Sequence, residues 1–304
     1  MPPKAASSGH KIGQIIGDWW EEHVIFPLLA DVALKLDLFL DCRFVERSVR
    51  PGSKVLWKDD DGNQVDYDFV LEIGGDDKEI GVPVAFIESF WRRGSRHSKD
   101  KARDDTNKLL PMRATYPTAR FLSIAASGEF TGPASEYIRT RGVDLFFIPK
   151  QKILTAFQEH DLIVDYPDQL PEADKSKLAE NLISVFDSRM AQEVSATLNK
   201  VCGKAMMSGY ANRIIAALSA LPVGIEISQA QVSEVVSFQT IHEVDKFFKN
   251  PQFEYSSDEY TYRYVVNYSD GSEFETDYLE MKQILDIHNM TKRYVKHIAN
   301  LIVA

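Results

Sequence analysis

The sequence is poor in the residue types and patterns that define several classes of protein. Of 304 residues only Cys42 and Cys202 are cysteines, and two distant thiols provide neither a disulfide framework nor zinc-ligand spacing. No apolar run reaches the ~18 residues that a membrane-spanning helix needs. Residues 1–10 contain no apolar stretch of the signal-peptide type and predict a short disordered tail. We therefore expect a cytoplasmic protein with buried thiols and no membrane partner.

Two motifs of phosphate and acyl chemistry are also missing. The chain has no G-x-x-x-x-G-K-[ST] loop, so a P-loop nucleotide motor is not indicated. No serine or cysteine stands in a nucleophile-elbow motif. The net charge of −10 excludes a protein that is basic over its whole surface, but it leaves room for a local cationic patch that binds nucleic acid.

What is present is typical of a globular α/β protein. Apolar residues make up 44% and charged residues 26%, and the length allows one large domain or two. A long helix over residues 11–40 precedes three strands, and helices then alternate with strands. This order predicts a layered α/β domain over residues 11–165. After a polar, proline-containing linker at residues 166–175, the pattern changes to helices and a hairpin, which predicts a smaller α+β domain over residues 176–304.

Two of the predicted strands carry acids. Alternation along residues 65–73 predicts a single strand with Asp66, Asp68 and Glu72 on one face. Residues 81–90 are almost continuously apolar, as in a central strand covered on both faces.

Glu88 lies at the end of that central strand. Burying a carboxylate there costs free energy, so we expect Glu88 to have a partner or a metal. The structural alternative is that Glu88 pairs with Arg92 or Arg93, while Asp66 and Asp68 only solvate an edge strand.

A dense basic segment follows Glu88. Between residues 89 and 120 there are nine Lys and Arg against three Asp, in a chain of opposite net charge. Such a concentration suits a phosphate backbone, where affinity comes largely from counterion release. Trp91 either stacks on a base or belongs to the core, and His97 is a phosphate contact or a general base. The candidate nucleic-acid-binding residues are Arg92, Arg93, Arg96 and His97.

Carboxylates beside a cationic run indicate a divalent metal that faces phosphate. Mg²⁺ prefers oxygen ligands and keeps several waters, and it lowers the pKa of a bound water. Asp68 and Glu88, on neighbouring strands, are the candidate metal ligands, with Asp66 as the alternative to Asp68. We expect Mn²⁺ to substitute for Mg²⁺.

The order α-β-β-β-α-β over residues 11–150, with an acid in the second strand and another ending the third, resembles the PD-(D/E)XK (restriction-endonuclease-like) nuclease superfamily. V-D-Y-D-F-V-L matches the strand of the family aspartate, which would be Asp68, and I-E-S-F matches the second acid, Glu88. The resemblance implies a mixed sheet flanked by helices and Mg²⁺-dependent hydrolysis of double-stranded DNA. It also implies a role in bacterial restriction or anti-phage defence, as a homodimer or with a partner of a defence complex.

The chain departs from the family at one position. Two residues after the second acid, where the family has a lysine, this sequence has Phe90. Lys99 or Lys101, in the helix that follows, could supply the missing positive charge, with Arg92 as a third candidate. Without such a cation the chain would be a catalytically inactive nuclease fold that binds DNA or a partner. An RNA-directed nuclease is a further alternative. The tyrosine-rich C-terminal part is compatible with target recognition, docking or dimerisation.

Overall fold

The chain folds into two compact units, each assembled from three stretches of sequence. The computed structural model describes residues 8–96, 98–230, 235–249, 261–277 and 279–303. The first unit comprises the described parts of Met1–Val32, Ile87–Asn107 and Ser123–Arg213, and the second those of Ala33–Phe86, Lys108–Leu122 and Ile214–Ala304. The units interleave along the chain, so they differ from the predicted succession of one domain after the other.

Helices and strands alternate between residues 98 and 158, whereas strands follow one another before this part of the chain and helices directly after it. The helical elements are α1 (Ser8–Trp19), a π-helical segment (Trp20–Ile25), α2 (Phe26–Lys35), α3 (Ser98–Thr115), α4 (Gly132–Thr140), α5 (Lys150–Gln158), α6 (Glu172–Val185), α7 (Ser188–Cys202), α8 (Lys204–Leu218), α9 (Ile241–Lys249) and α10 (Met281–Val303). The strands are β1 (Phe39–Cys42), β2 (Val55–Lys58), β3 (Gln64–Tyr67), β4 (Phe69–Ile73), β5 (Val82–Arg92), β6 (Phe121–Gly128), β7 (Asp144–Pro149), β8 (Pro222–Gln229), β9 (Val235–Phe238), β10 (Thr261–Tyr268), β11 (Glu273–Glu275) and β12 (Leu279–Glu280).

A five-stranded mixed sheet has the order β1-β4-β5-β6-β7. Strand β1 pairs with β4 antiparallel, whereas β6 pairs with β7 parallel. Strand β5 is the middle strand, and every residue of it except Arg92 is buried, in agreement with its apolar sequence. The predicted α/β class, with a mixed sheet flanked by helices, is therefore confirmed.

Two smaller sheets lie in the second unit. Strands β2 and β3 form a hairpin, and β8 to β11 form a sheet of order β11-β10-β8-β9, with β12 also pairing with β10. Helix α10 contacts β10. Among the described residues we find no helix with the length and hydropathy to cross a membrane. Cys42 is buried and Cys202 half-buried, and both are free thiols.

Two tryptophans fix the first helix within the first unit. The indole nitrogen of Trp20 donates to the carbonyl of Ala125 (3.1 Å), and that of Trp19 donates to the carbonyl of Ala191 (3.0 Å). The ring of Trp20 also stacks on Phe146, with centroids 6.1 Å apart. These contacts give both consecutive tryptophans a buried polar partner as well as apolar packing.

The first helical region is shorter than the predicted 11–40. It includes the π-helical segment and ends at Lys35, because Asp37 adopts a positive φ of 49°. The Leu38 N–H then donates to the carbonyl of Ala33 (2.9 Å), which closes the helix end.

Helix α3, the helix predicted to follow Glu88 and its basic segment, contains a proline. Helix α3 passes through Pro111 and ends at Thr115. The proline removes only one backbone donor, and the burial of Leu109 and Met112 on either side of it keeps the helix packed.

The single strand predicted over residues 65–73 is wrong. Strand β3 pairs with β2, whereas β4 pairs with β1, and Asp68 forms a bend between them. Because the two halves have different partners, the backbone turns at Asp68 and the alternation does not continue across it. The shared face predicted for Asp66, Asp68 and Glu72 is therefore not formed.

Candidate active site

Glu88 is a buried acid in the middle of the sheet. It lies in β5 with 2% of its surface exposed, among residues that are almost all apolar. Side chains at i and i+2 of a strand share a face, so Glu88 and Phe90 project from the same side of β5. Trp91, on the opposite side, is buried, and the core interpretation of this residue is confirmed.

Lys101 places a cation on the face of β5 that carries Glu88. Its Nζ lies 5.4 Å from the ring centroid of Phe90, the residue that stands where the family has its lysine. The same Nζ pairs with Oδ1 of Asp105 at 2.7 Å, and the Lys101 side chain is 28% exposed. A lysine from α3 thus lies beside the ring of Phe90.

Asp105 is a site residue that the sequence reasoning missed. It is 3% exposed and lies one turn after Lys101 on α3. The i, i+4 spacing from Lys101 was a usable signal, because such pairs meet on one face of a helix. It was obscured because Asp105 was counted only as an acid within a basic run.

Lys99, the other predicted catalytic lysine, lies on a different face of α3. Residues two positions apart in an α-helix differ by about 200° around its axis, so Lys99 and Lys101 point in nearly opposite directions. Lys99 is accordingly exposed, whereas Lys101 is half-buried. The geometry of α3 favours Lys101 over Lys99.

The two predicted metal ligands of the 65–73 region have different surroundings. Oδ1 of Asp66 accepts a hydrogen bond from the backbone N–H of Val55 (2.8 Å), which ties β3 to β2. Asp68 is half-buried at the bend between β3 and β4, in the second unit, whereas Glu88 belongs to the first. Within the described residues, no group of three or more His, Cys, Asp or Glu side chains is arranged to hold a metal ion.

Arg93 is engaged with an acidic loop of the first unit. Its guanidinium lies 4.4 Å from the ring centroid of Tyr166, donates to the Tyr166 carbonyl (2.9 Å) and pairs with Asp165 (3.5 Å) and with Asp168. The hydrogen bond from Arg93 lowers the pKa of Asp168 below its ordinary value. Arg93 therefore has fewer free donors for phosphate than the sequence indicated.

Arg92 and Arg96 are exposed, and they are the first and last residues of the loop at the end of β5. This basic loop, residues 92–96, is held by the segment after β6. The Glu129 N–H donates to the carbonyl of Arg92 (2.8 Å), and the Ser95 N–H donates to the Glu129 carboxylate (3.2 Å). The remaining predicted contact, His97, lies outside the described residues.

A buried cluster of four charges in the second unit was not predicted. Arg50 donates to Asp41 and to Glu72 (2.9 Å), and Nε of Arg47 pairs with Asp41 (2.6 Å). Burial raises the pKa of both acids, against the opposing effect of the arginines. The signal in the sequence was an acid inside each of two apolar strands, F-L-D-C and F-V-L-E-I. The cluster fixes the segment after β1 to the sheet.

Comparison with protein-family models, curated protein sequences and solved structures gave no match to this chain.

Proposed function

We propose that the chain is a metal-dependent nuclease with a variant PD-(D/E)XK arrangement, which hydrolyses phosphodiester bonds of DNA. The observation that carries the proposal is the position of Lys101, with its Nζ 5.4 Å from the ring of Phe90 on the face of β5 that bears Glu88. In this proposal the Lys101 ammonium, from α3, takes the role of the lysine that β5 lacks.

The donor set fits Mg²⁺ in its chemistry. Glu88 supplies a carboxylate of a type that Mg²⁺ prefers, and its burial in an apolar strand would be stabilised by a bound cation. In the proposal Glu88 is one ligand of the ion, and the second ligand, Asp68 with Asp66 as the alternative, is the one that the sequence pattern predicts. When bound, Mg²⁺ lowers the pKa of water and neutralises charge on the phosphate.

The side chains of the protein have separate tasks in this proposal. Lys101 donates hydrogen bonds to a phosphate oxygen on which negative charge develops, and Asp105 holds the Lys101 side chain in position. The exposed Arg92 and Arg96 bind the neighbouring phosphates. Such an enzyme would act in restriction or anti-phage defence, alone, as a homodimer or with a partner.

The test is plasmid cleavage in Mg²⁺, Mn²⁺ or EDTA by the full chain. We expect cleavage in either metal, none in EDTA, and a loss of at least about 1,000-fold in Glu88→Gln and Asp68→Asn. Glu136→Gln, a change at an exposed acid of α4, is the matched control and should cleave normally. Full activity in Glu88→Gln with intact folding would contradict the assignment. A parallel assay with labelled RNA distinguishes a DNA-directed from an RNA-directed enzyme.

A second candidate is a catalytically inactive nuclease fold that binds DNA within a defence complex. The observation that favours it is the 2.7 Å ion pair of Lys101 with Asp105, which already engages the cation. This candidate predicts DNA binding without nicking in every metal tested.

A further inference from the structure

A pocket of about 510 Å³ lies in the first unit, at the carboxyl ends of the parallel strands β6 and β7. Phe130 and Phe147 line it, with ring centroids 5.8 Å apart and planes inclined by 39°. Both residues are half-buried. The polar residues of the lining are Ser95, Glu129, Lys150, Gln151 and Asp165. The size and the mixture of aromatic walls with polar groups suit a small planar ligand.

Aromatic rings connect this pocket to the candidate active site. The ring of Phe130 lies 5.8 Å from that of Phe90, and Nζ of Lys101 lies 5.4 Å from the Phe90 ring on the face that carries Glu88. Lys101, Phe90, Phe130 and Phe147 thus form a row within the first unit. A ligand in the pocket would thus be linked through Phe130 and Phe90 to the lysine that we assign to the reaction.

The basic loop, residues 92–96, borders the pocket. Ser95 of this loop lines the pocket directly, and the N–H of Glu129, another lining residue, donates to the Arg92 carbonyl (2.8 Å). Lys150 pairs with both acids of the lining, Glu129 (3.1 Å) and Asp165 (3.0 Å), so its positive charge offsets part of their negative charge. The aromatic lining therefore matches a ligand with an aromatic ring, and the exposed Arg92 and Arg96 of the neighbouring loop match its anionic groups.

We propose that this pocket holds an unpaired nucleobase of the nucleic-acid substrate, stacked on Phe130 and Phe147 while Arg92 and Arg96 contact the adjoining phosphates. The inference rests on the proposed nuclease function and specifies its substrate class as DNA with an unpaired nucleotide. A base inside a duplex cannot enter the pocket without being unstacked, whereas an unpaired base enters at little cost. Stacking on aromatic side chains accepts any base, so selectivity is for structure and not for sequence.

The experiment measures binding in EDTA by fluorescence anisotropy, with two labelled DNA duplexes that differ only by one unpaired adenine. We expect the wild-type chain to bind the duplex with the unpaired adenine more tightly. Phe130→Ala should weaken that binding roughly tenfold and change binding of the fully paired duplex by less than about twofold. Phe130→Trp, which keeps a π-face, should retain the preference, and Phe130→Leu, which keeps apolar volume without a π-face, should lose it.

The matched control is Phe186→Ala, because Phe186 is another half-buried phenylalanine of the first unit that does not line this pocket. It should leave both affinities unchanged, and thermal unfolding checks that each variant is folded. No preference in the wild-type chain, no binding at all, or equal weakening of both probes by Phe130→Leu would overturn the inference. The two proposals can fail separately. Absence of cleavage in Mg²⁺ contradicts the nuclease proposal and leaves the binding result in EDTA valid. Glu88-dependent cleavage in Mg²⁺, together with no preference for the unpaired adenine in EDTA, contradicts only the proposal for the pocket.

Discussion

Phe90 stands where the resemblance requires a lysine, and it shows how a single residue can change the role of its neighbours. An aromatic ring cannot supply a positive charge, but it provides a surface over which the Lys101 ammonium lies. The Lys101 side chain is further oriented by Asp105. In the proposed nuclease the positive charge near the site would therefore come from α3 and not from β5.

Lys101→Met should lower the single-turnover rate of DNA cleavage by about 100-fold or more, because it removes the cation beside Phe90 while keeping an apolar side chain. Lys99→Met removes an exposed cation of the same helix and should change the rate by less than about threefold. Both variants should bind DNA with similar affinity in EDTA. A larger rate loss in Lys99→Met than in Lys101→Met would show that the other lysine serves the site.

Short segments are fixed by contacts that reach well beyond them. The basic loop after β5 is held by the segment at Gly128, whose φ of 105° is in the region that favours glycine. A Cβ at this position would lie 1.9 Å from the carbonyl oxygen of Arg92. The close approach of these two backbones therefore requires glycine.

Gly128→Ala should lower the free energy of unfolding by more than about 1 kcal/mol, because the new methyl group meets backbone atoms and φ is unfavourable. Gly132→Ala is the matched control, since a Cβ there would have nothing within 4 Å. Urea denaturation of both variants provides the measurement. Equal stability of the two would show that the loop moves aside easily.

The segment after β1 is fixed in a different way, by buried charge. Arg50→Met should cost about 3–5 kcal/mol of unfolding free energy, because it leaves the carboxylates of Asp41 and Glu72 buried with less compensation. Arg43→Met removes an exposed arginine of the same segment and should cost less than about 1 kcal/mol. Chemical denaturation near neutral pH compares them, and a neutral effect of Arg50→Met would mean that the cluster is dispensable.

The stability of the whole chain should depend on pH through His288. This buried residue of α10 contacts Tyr264 through Nδ1 (2.9 Å) and Asp245 through Nε2 (3.2 Å), and Asp245 also pairs with Lys292 at 2.5 Å. Burial lowers the pKa of His288, despite the nearby Asp245. Burial alone would raise the pKa of Asp245, but its bonds to Lys292 and His288 lower it overall.

Because the folded-state pKa of His288 is below about 6.5, the unfolded chain binds the proton first as the pH falls. The contribution of His288 to stability is complete above pH 6.5 and decreases below it, by at most about 1.4 kcal/mol per pH unit. Unfolding free energies measured between neutral pH and pH 5 should show this slope, and His288→Gln should reduce it. His242→Gln, at an exposed position of α9, should leave it unchanged. A wild-type curve that is flat in this window would refute the prediction.

Local patterns in the sequence determined much of this protein. The buried middle strand β5 follows from a continuous apolar run, and the α/β class follows from the order of periodic segments. The same reasoning predicts Glu88 as a site residue and Lys99 or Lys101 as its cation, and the burial of Glu88 within β5 agrees with the apolar sequence around it. Residues 222–249 were given no element, although the alternating burial of β8 shows that a period of two was present there.

Only the tertiary structure decided which residues meet. Nothing in residues 65–73 indicates that one half pairs with β2 and the other with β1, because pairing depends on segments far along the chain. For the same reason the ion pairs of Arg93, the charge cluster around Arg50 and the contact of Lys101 with Phe90 could not be read from spacing. A periodic pattern reports which face of an element is apolar, whereas a site is formed by side chains that packing brings together from distant elements.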